Sequence, residues 1–272
     1  MLNLPSFSVL MSVYYKEQPI YLDQAFESIW DLQSLKPNEI VLVIDGHIGE
    51  ELLVIVKKWK SKLGNILVIR ALSANIGLAG ALNRGLLDCS YDYVARMDTD
   101  DISTSQRFME QLKFLQKNPH IDVCSGVVEE WSQDFSRKLS NRVLPVYHDN
   151  IKLFAKYRSP ISHPAVVYKK KSVLESGGYP IVYPEDYPLW LNMLVNGYNF
   201  ANLPYTLVKM RVANALIDRR GGDFLRGEIK IFRHSHAIGF ITSAEMLFAI
   251  LSRVVVRLSP VTVKKLLYKI LR

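Results

Sequence analysis

The stretch YDYVARMDTDD, Tyr91 to Asp101, organises the reading of the whole chain. YDYVARMD (Tyr91–Asp98) is an apolar run of strand character that ends on Asp98-Thr99-Asp100-Asp101, three carboxylates in four positions. Like charges this close raise one another's pKa, so the cluster is costly unless something positive lies among them. Mg²⁺ or Mn²⁺ suits the place, being a hard cation that takes carboxylate oxygens and shares its remaining shell with phosphates. An acidic turn capping the helix that follows is the competing account.

Working towards the N-terminus, strand-like and helix-like segments alternate. FSVLMSVY (Phe7–Tyr14), EIVLVID (Glu39–Asp45) and NILVIRAL (Asn65–Leu72) read as strands. Helical apolar spacing marks Ile20–Gln33 (at Leu22, Phe26, Ile29 and Trp30), Glu50–Lys62 and Leu78–Cys89. Near-continuous apolar strands separated by helices predict an α/β fold, with a parallel sheet covered on both faces. Ligands of such folds bind beyond the carboxyl ends of the strands. Asp45, Asn75 and Asp98 each sit at one of those ends.

Towards the C-terminus the pattern changes. A helix over Ser105–Asn118 precedes strands at Asp122–Trp131 and Lys138–Leu144, then one within Ser159–Lys170 behind two prolines. GGYP (Gly177–Pro180) is a turn, Pro184–Gly197 a helix with Asp186 at its start, and Leu203–Arg211 a last strand. No linker interrupts the chain, so residues 1–218 read as one catalytic domain. Residues 219–272 read as a basic, amphipathic helical region.

Charge sharpens that division. Of 34 Lys/Arg and 26 Asp/Glu, eleven basic and three acidic residues fall between Arg219 and Arg272, so the preceding residues are neutral. A charge confined to one end marks an interaction surface. Cys89 and Cys124 are too few for a disulfide scaffold and lack partners at metal-ligand spacing, which points to a reducing compartment, the cytoplasm. The apolar run near the N-terminus has no basic residues before it, so a strand is expected there rather than a signal peptide.

Several other residues invite chemistry, each with a plain structural alternative. Asp45 is either a turn residue or a carboxylate for a base or ribose. The helix behind Asn75-Ile76-Gly77 has N-terminal amides that would suit a phosphate, although the glycines do not fit GxGxxG. Asp186 serves equally as a helix N-cap, and His163-Pro164 as a turn. Arg219 and Arg220, followed by Gly221-Gly222, either clamp a diphosphate or form a solvated basic turn.

Together these blocks resemble the family-2 inverting glycosyltransferases that build bacterial surface polysaccharides such as O-antigen and capsule. The resemblance runs through FSVLMSVYYKE, EIVLVIDG, NIGLAGALNRGL, YVARMDTDDIS, HPAVVYKK, PEDYPLWLNML and MRVANALIDRRGG, about residues 7 to 222. It implies a Rossmann-like nucleotide-diphospho-sugar transferase fold of GT-A type, with a mostly parallel central sheet and a helical C-terminal appendage. By the same resemblance Val13, Tyr15, Asp45 and Asn75 lie on the nucleotide-sugar side, with Tyr15 where the family's VYN block carries Asn. Asp98 and Asp100 match the DxD pair, Asp100 towards the metal and Asp98 towards ribose or metal-bound water, with Asp101 nearby. Asp186 matches the catalytic base of the Glu-Asp block, which Pro188 here follows, and Arg219 and Arg220 match a basic pair near the leaving diphosphate. The implied reaction is metal-assisted transfer from a nucleotide-diphosphate sugar, with inversion in one displacement.

The tail, AEMLFAILSRVVVRLSPVTVKKLLYKILR (Ala244–Arg272), has no apolar run near the roughly 20 residues that span a bilayer. An interfacial helix fits, with Leu266, Leu267, Ile270 and Leu271 on one side and Lys264, Lys265, Lys269 and Arg272 towards anionic headgroups. A helix packed on the core is the alternative. The expected setting is the inner face of the cell membrane, with peripheral contact and a lipid-linked oligosaccharide acceptor. Nucleic acid is not expected, because the basic region has no recognisable motif. Three competing functions are weaker: a haloacid-dehalogenase-like phosphatase would carry its first Asp on the first strand. A nucleotidyltransferase would need a glycine-rich, basic N-terminal loop, and a non-catalytic membrane module would leave the carboxylates unexplained.

Overall fold

A computed structural model describes residues 4–212 and 222–258. Its first half is the alternation expected: β1 (Phe7–Val13), α1 (Pro19–Ile29), β2 (Glu39–Ile44), α2 (Glu50–Leu63), β3 (Leu67–Ala71), α3 (Gly77–Asp88) and β4 (Tyr93–Asp98). There follow β5 (Ile102–Ser103), α4 (Arg107–Lys117), β6 (Val123–Ser132), β7 (Lys138–Arg142), α5 (His148–Phe154), β8 (Val167–Lys169) and α6 (Lys170–Glu175). The chain continues through α7 (Asp186–Val195), β9 (Phe200–Val212), α8 (Gly222–Ala237) and α9 (Ser243–Leu258). The strands form one sheet in the order β3-β2-β1-β4-β8-β6-β9-β5, with β7 paired to β6.

The strand sequences explain the two-layered core. In β1, Val9, Met11 and Val13 join the cluster under α1 and α2, while Leu10 points to the cluster under α3 and α7. β2 repeats the arrangement, with Ile40, Leu42 and Ile44 on one face and Val41 and Val43 on the other. Each such side chain contributes about 1.5–3 kcal/mol by leaving water. A period of two with both faces apolar is why these strands read as continuous hydrophobic runs. Gly85 lets α3 seat closely on them, since a Cβ there would lie 2.5 Å from Leu10 Cδ1 and 2.6 Å from Val43 Cγ2.

The second half departs from a simple parallel sheet. β8 runs antiparallel to both β4 and β6, and β5 and β7 are antiparallel additions, whereas the long β6–β9 pair is parallel. The strand expected behind the two prolines is only the three residues of β8, preceded by a 3-10 turn at His163–Ala165. Lys170 opens α6 instead of extending that strand, and α1 stops at Ile29, short of Gln33. Short helices such as α5 and α6 offer too few turns for apolar periodicity to register. α8 sends Ile231 into the core beneath α7, so the C-terminal helices are docked on the sheet domain. Both cysteines are buried free thiols. Among the described residues no helix is long and apolar enough to cross a membrane. The expected interfacial helix around Leu266, Leu267, Ile270 and Leu271 lies outside the described residues.

Candidate active site

Parallel register brings the ends of β1, β2 and β4 side by side: Val13 is opposite Ile44, and Ser12 opposite Asp98. The Asp45 amide donates to Val13 O at 2.8 Å, fixing the turn after β2. Asp45 is nearly inaccessible, and its two carboxylate oxygens accept from the amides of Ile76 (2.8 Å) and Gly77 (3.0 Å). Asn75 Nδ2 donates back to Asp45 O at 3.1 Å. Gly46 lies in the left-handed region (φ 82°), and a Cβ there would come within 2.6 Å of Asn75 N. Two turns thereby become one unit. At the start of α3, Ile76 and Gly77 give their N–H groups to Asp45, which acts as the helix's anionic cap.

Across the rim, Tyr14 and Tyr15 are exposed with their rings edge to face at 5.7 Å, and Lys16 Nζ lies 5.4 Å from the centre of the Tyr15 ring. Glu17, which sequence reasoning passed over, accepts from Thr99 Oγ1 at 2.7 Å and closes the loop after β1 onto the acidic turn.

Asp98, Asp100 and Asp101 come together as the motif requires, with one oxygen from each lying within 4.8 Å of the others. Asp98 pairs with the buried Arg96. Asp101 is buried, accepts from the Arg211 amide through Oδ1 at 2.9 Å, and leaves Oδ2 buried without a partner among the described residues. Burial first, then Asp98 and Glu17, pushes Asp100 up to about 7. Burial and its two acidic neighbours raise Asp101 well above the usual carboxylate range. Crowded carboxylates, one with an orphaned buried oxygen, suit a hard divalent cation, which would offset the burial and repulsion that raise Asp100 and Asp101. Underneath, Arg107 donates to Arg96 O at 2.7 Å, its own pKa brought down to about 9 chiefly by burial and then by Arg96.

The second acidic group opens α7. Glu185, not Asp186, occupies the N-cap position and makes no side-chain cap. Asp186 is the first helical residue and its carboxylate accepts from Ser159 Oγ at 3.2 Å. Burial raises its pKa, the Ser159 bond opposing. Glu185 is buried and pushed up to about 7, by burial and then by Asp186. His163 Nδ1 lies 3.5 Å from Glu185 Oε1. Burial holds that imidazole far below its usual pKa, so the contact is one to a neutral ring rather than an ion pair. His163 Nε2 lies 3.2 Å from Tyr179 OH. The Arg96 charge acts on this pair as it does on Asp100 and Asp101, lowering both acids.

Arg219 and Arg220 lie outside the described residues. Arg96 and Arg211 were not singled out by sequence reasoning. Arg96 had a legible signal, a lone cation in an apolar strand two residues before Asp98 and therefore on the same face. Arg211 had none, since its partners are about 110 positions away.

The sequence pattern that defines Glycosyl transferase family 2 matches residues 8–178. The chain is 38% identical over 268 residues to the amylovoran biosynthesis glycosyltransferase AmsE of Erwinia amylovora, covering 97% of this chain and 98% of that one. It is 37% identical over 269 residues to the UDP-Gal:alpha-D-GlcNAc-diphosphoundecaprenol beta-1,3-galactosyltransferase of Escherichia coli, covering 98% and 96%. Among solved structures, the mannosyltransferase PcManGT of Pyrobaculum calidifontis, in complex with GDP-Man and Mn²⁺, superposes with a TM-score of 0.65 at 17% identity, over 98% of this chain and 80% of that one. TarS of S. aureus in complex with UDP-GlcNAc gives 0.62 at 16% identity, over 92% and 71%. At such identities the two structures establish the shared fold.

Proposed function

The chain belongs to glycosyl transferase family 2 and is a glycosyltransferase of polysaccharide biosynthesis; on that premise we propose how its residues divide the reaction. The donor is a nucleotide-diphosphate sugar and the acceptor a saccharide carried on a lipid, as the name of the E. coli relative states for that enzyme. Asp98, Asp100 and Asp101 hold Mn²⁺ or Mg²⁺. The observation that carries this reading is the convergence of their three carboxylates at the carboxyl end of β4. Bound there, the cation supplies neutralisation of the charge left on the departing nucleoside diphosphate.

The protein's own groups do the rest. Val13, Tyr15 and the Asp45–Asn75 unit form the nucleoside side of the site, with Asp45 ordering the rim through the α3 amides. Asp186 takes the proton of the acceptor hydroxyl as that oxygen attacks the anomeric carbon. The bond to the diphosphate oxygen breaks on the opposite face, so one displacement inverts the centre and needs no nucleophilic carboxylate. Burial favours proton uptake by Asp186, and Ser159 orients it. Arg219 and Arg220 are assigned to the leaving diphosphate. Phosphatase and nucleotidyltransferase readings give way to family membership.

Incubation with a panel of nucleotide sugars and a lipid-linked acceptor, with and without Mn²⁺, tests this. One donor should release nucleoside diphosphate in a metal-dependent manner; equal release with and without metal removes the cation from the scheme.

Contact with the inner face of an anionic membrane completes the proposal. Leu247, Phe248, Leu251 and Val255 form an exposed apolar stripe at helical spacing on α9, and the chain beyond carries Lys264, Lys265, Lys269 and Arg272. Each such charge contributes about 1 kcal/mol near an anionic surface and is eroded by salt. Full-length protein should therefore sediment with anionic vesicles at low salt and be released at high salt. No sedimentation at low salt removes the membrane contact.

A further inference from the structure

The antiparallel pairing of β5 with β9 sets Ile102 opposite Lys209, which carries Arg211, two residues further on, up against the Asp100–Asp101 turn. Arg211 grips that turn twice. Its backbone N–H donates to Asp101 Oδ1 at 2.9 Å, and its guanidinium donates to the Asp100 carbonyl oxygen. The guanidinium is itself held. Nε donates to Gln133 O at 3.1 Å, another nitrogen donates to Gln24 Oε1, and Cζ lies 4.0 Å from the centre of the Tyr21 ring and 4.2 Å from that of Phe135. A planar cation held against two rings loses its freedom to point its fork elsewhere.

Phe135 reaches this position at a backbone cost. Its φ is 57°, a region that bulky L residues seldom adopt. The tip of the β6–β7 hairpin imposes it: Phe135 N donates to Ser132 O at 2.9 Å, Ser136 N to Asp134 Oδ1 at 3.0 Å, and Arg137 N to Ser132 Oγ at 3.0 Å. Backbone conformations of this kind persist where the surroundings over-determine them, and they gather at functional sites. The ring so presented lies against the guanidinium that grips the acidic turn.

We propose that Arg211 is a positioning residue for the divalent-cation site, holding the Asp100–Asp101 turn in its ligating shape, with Tyr21 and Phe135 as the jaws that hold Arg211. This rests on the reading that Asp98, Asp100 and Asp101 bind a cation. The sign of the effect separates positioning from charge. As a nearby positive charge alone, Arg211 repels a cation, so its removal would tighten binding; as a positioning group, its removal loosens binding.

The test titrates Mn²⁺ alone into the full-length protein, following the magnetic-resonance signal of the free aqueous ion. Groups that orient metal ligands typically cost 10–100-fold in affinity when lost, so Arg211→Met and Arg211→Lys should each weaken Mn²⁺ by about tenfold. The lysine variant is informative because it keeps the charge and loses the fork. Phe135→Leu, which leaves every charge in place, should weaken Mn²⁺ by about threefold, less than loss of the guanidinium itself. Asp100→Asn should abolish binding. Unchanged or tighter binding in the Arg211 variants, with Asp100→Asn still inactive in the titration, overturns the positioning role and leaves the cation site standing. No Mn²⁺ binding by the unaltered protein overturns both. Should the Arg211 variants fail to fold, Phe135→Leu decides: affinity equal to that of the unaltered protein overturns the proposal.

Discussion

Two acidic groups feel the same buried guanidinium, that of Arg96, yet they are built differently. Asp98, Asp100 and Asp101 converge within 4.8 Å, with guanidinium groups of Arg96 and Arg211 bonded to their turn and one Asp101 oxygen without a partner among the described residues. Glu185 and Asp186 are neighbours whose side-chain partners among the described residues are the uncharged Ser159 hydroxyl and the neutral His163 ring. Acids crowded in threes cannot relieve their repulsion with one proton and call for a multivalent cation. A burial-raised pair with neutral partners accommodates a proton. On the proposed division of roles, this difference is what suits the first group to a metal and the second to a proton.

The sharpest way to break this contrast is to remove one charge from each group. Asp100→Asn takes away a cation ligand and should cut metal-dependent transfer by about 1000-fold, the equivalent of several kcal/mol of lost charge stabilisation, with the fold retained. Turnover at the unaltered rate without added metal would contradict the division. Asp186→Asn should bind Mn²⁺ and donor nucleotide as before and lose turnover by about 100-fold, the scale of a missing general base. A variant that binds and still turns over at near-normal rate leaves Asp186 with only its place in the first turn of α7.

A smaller effect concerns stability. Glu185 has a folded-state pKa of about 7, above the ordinary 4.5, because burial disfavours its charge. The folded protein therefore binds this proton more tightly than the unfolded chain. The stability it lends is complete below about pH 4.5 and is lost as pH rises through about 7. Glu185→Gln, which mimics the protonated acid, should raise the melting temperature by several degrees at pH 8.5 and hardly change it at pH 5. Equal shifts at both pH values would show that Glu185 is not held uncharged by its surroundings.

The first four strands were legible because both faces of β1 and β2 are apolar, and a buried parallel strand announces itself as an unbroken run. β8, three residues paired antiparallel on both sides, carries no pattern of its own and takes its place from its neighbours. The acids of the site were legible for a related reason. Three carboxylates in four positions are conspicuous wherever they fall, and the structure brings them together. Their supports were not, because what fixes Asp101 is a backbone amide at Arg211, delivered by strand pairing. Asp45 shows the converse: its position was readable, while its attachment to the α3 amides depends on how two turns meet in space.

That attachment bears on how donor choice is open to change. Asp45 and Gly46 are locked to Asn75, Ile76 and Gly77, so a substitution at either would unseat the start of α3 along with the rim. Tyr14 and Tyr15, just after β1, and Ile76 and Leu78, at the start of α3, expose side chains that none of those bonds uses. A library aimed at accepting a different nucleotide should randomise these four and leave the Asp45–Gly46 hinge alone. On the proposed donor assignment the rim divides into an interchangeable lining and a fixed frame, which would let one scaffold be refitted without being rebuilt.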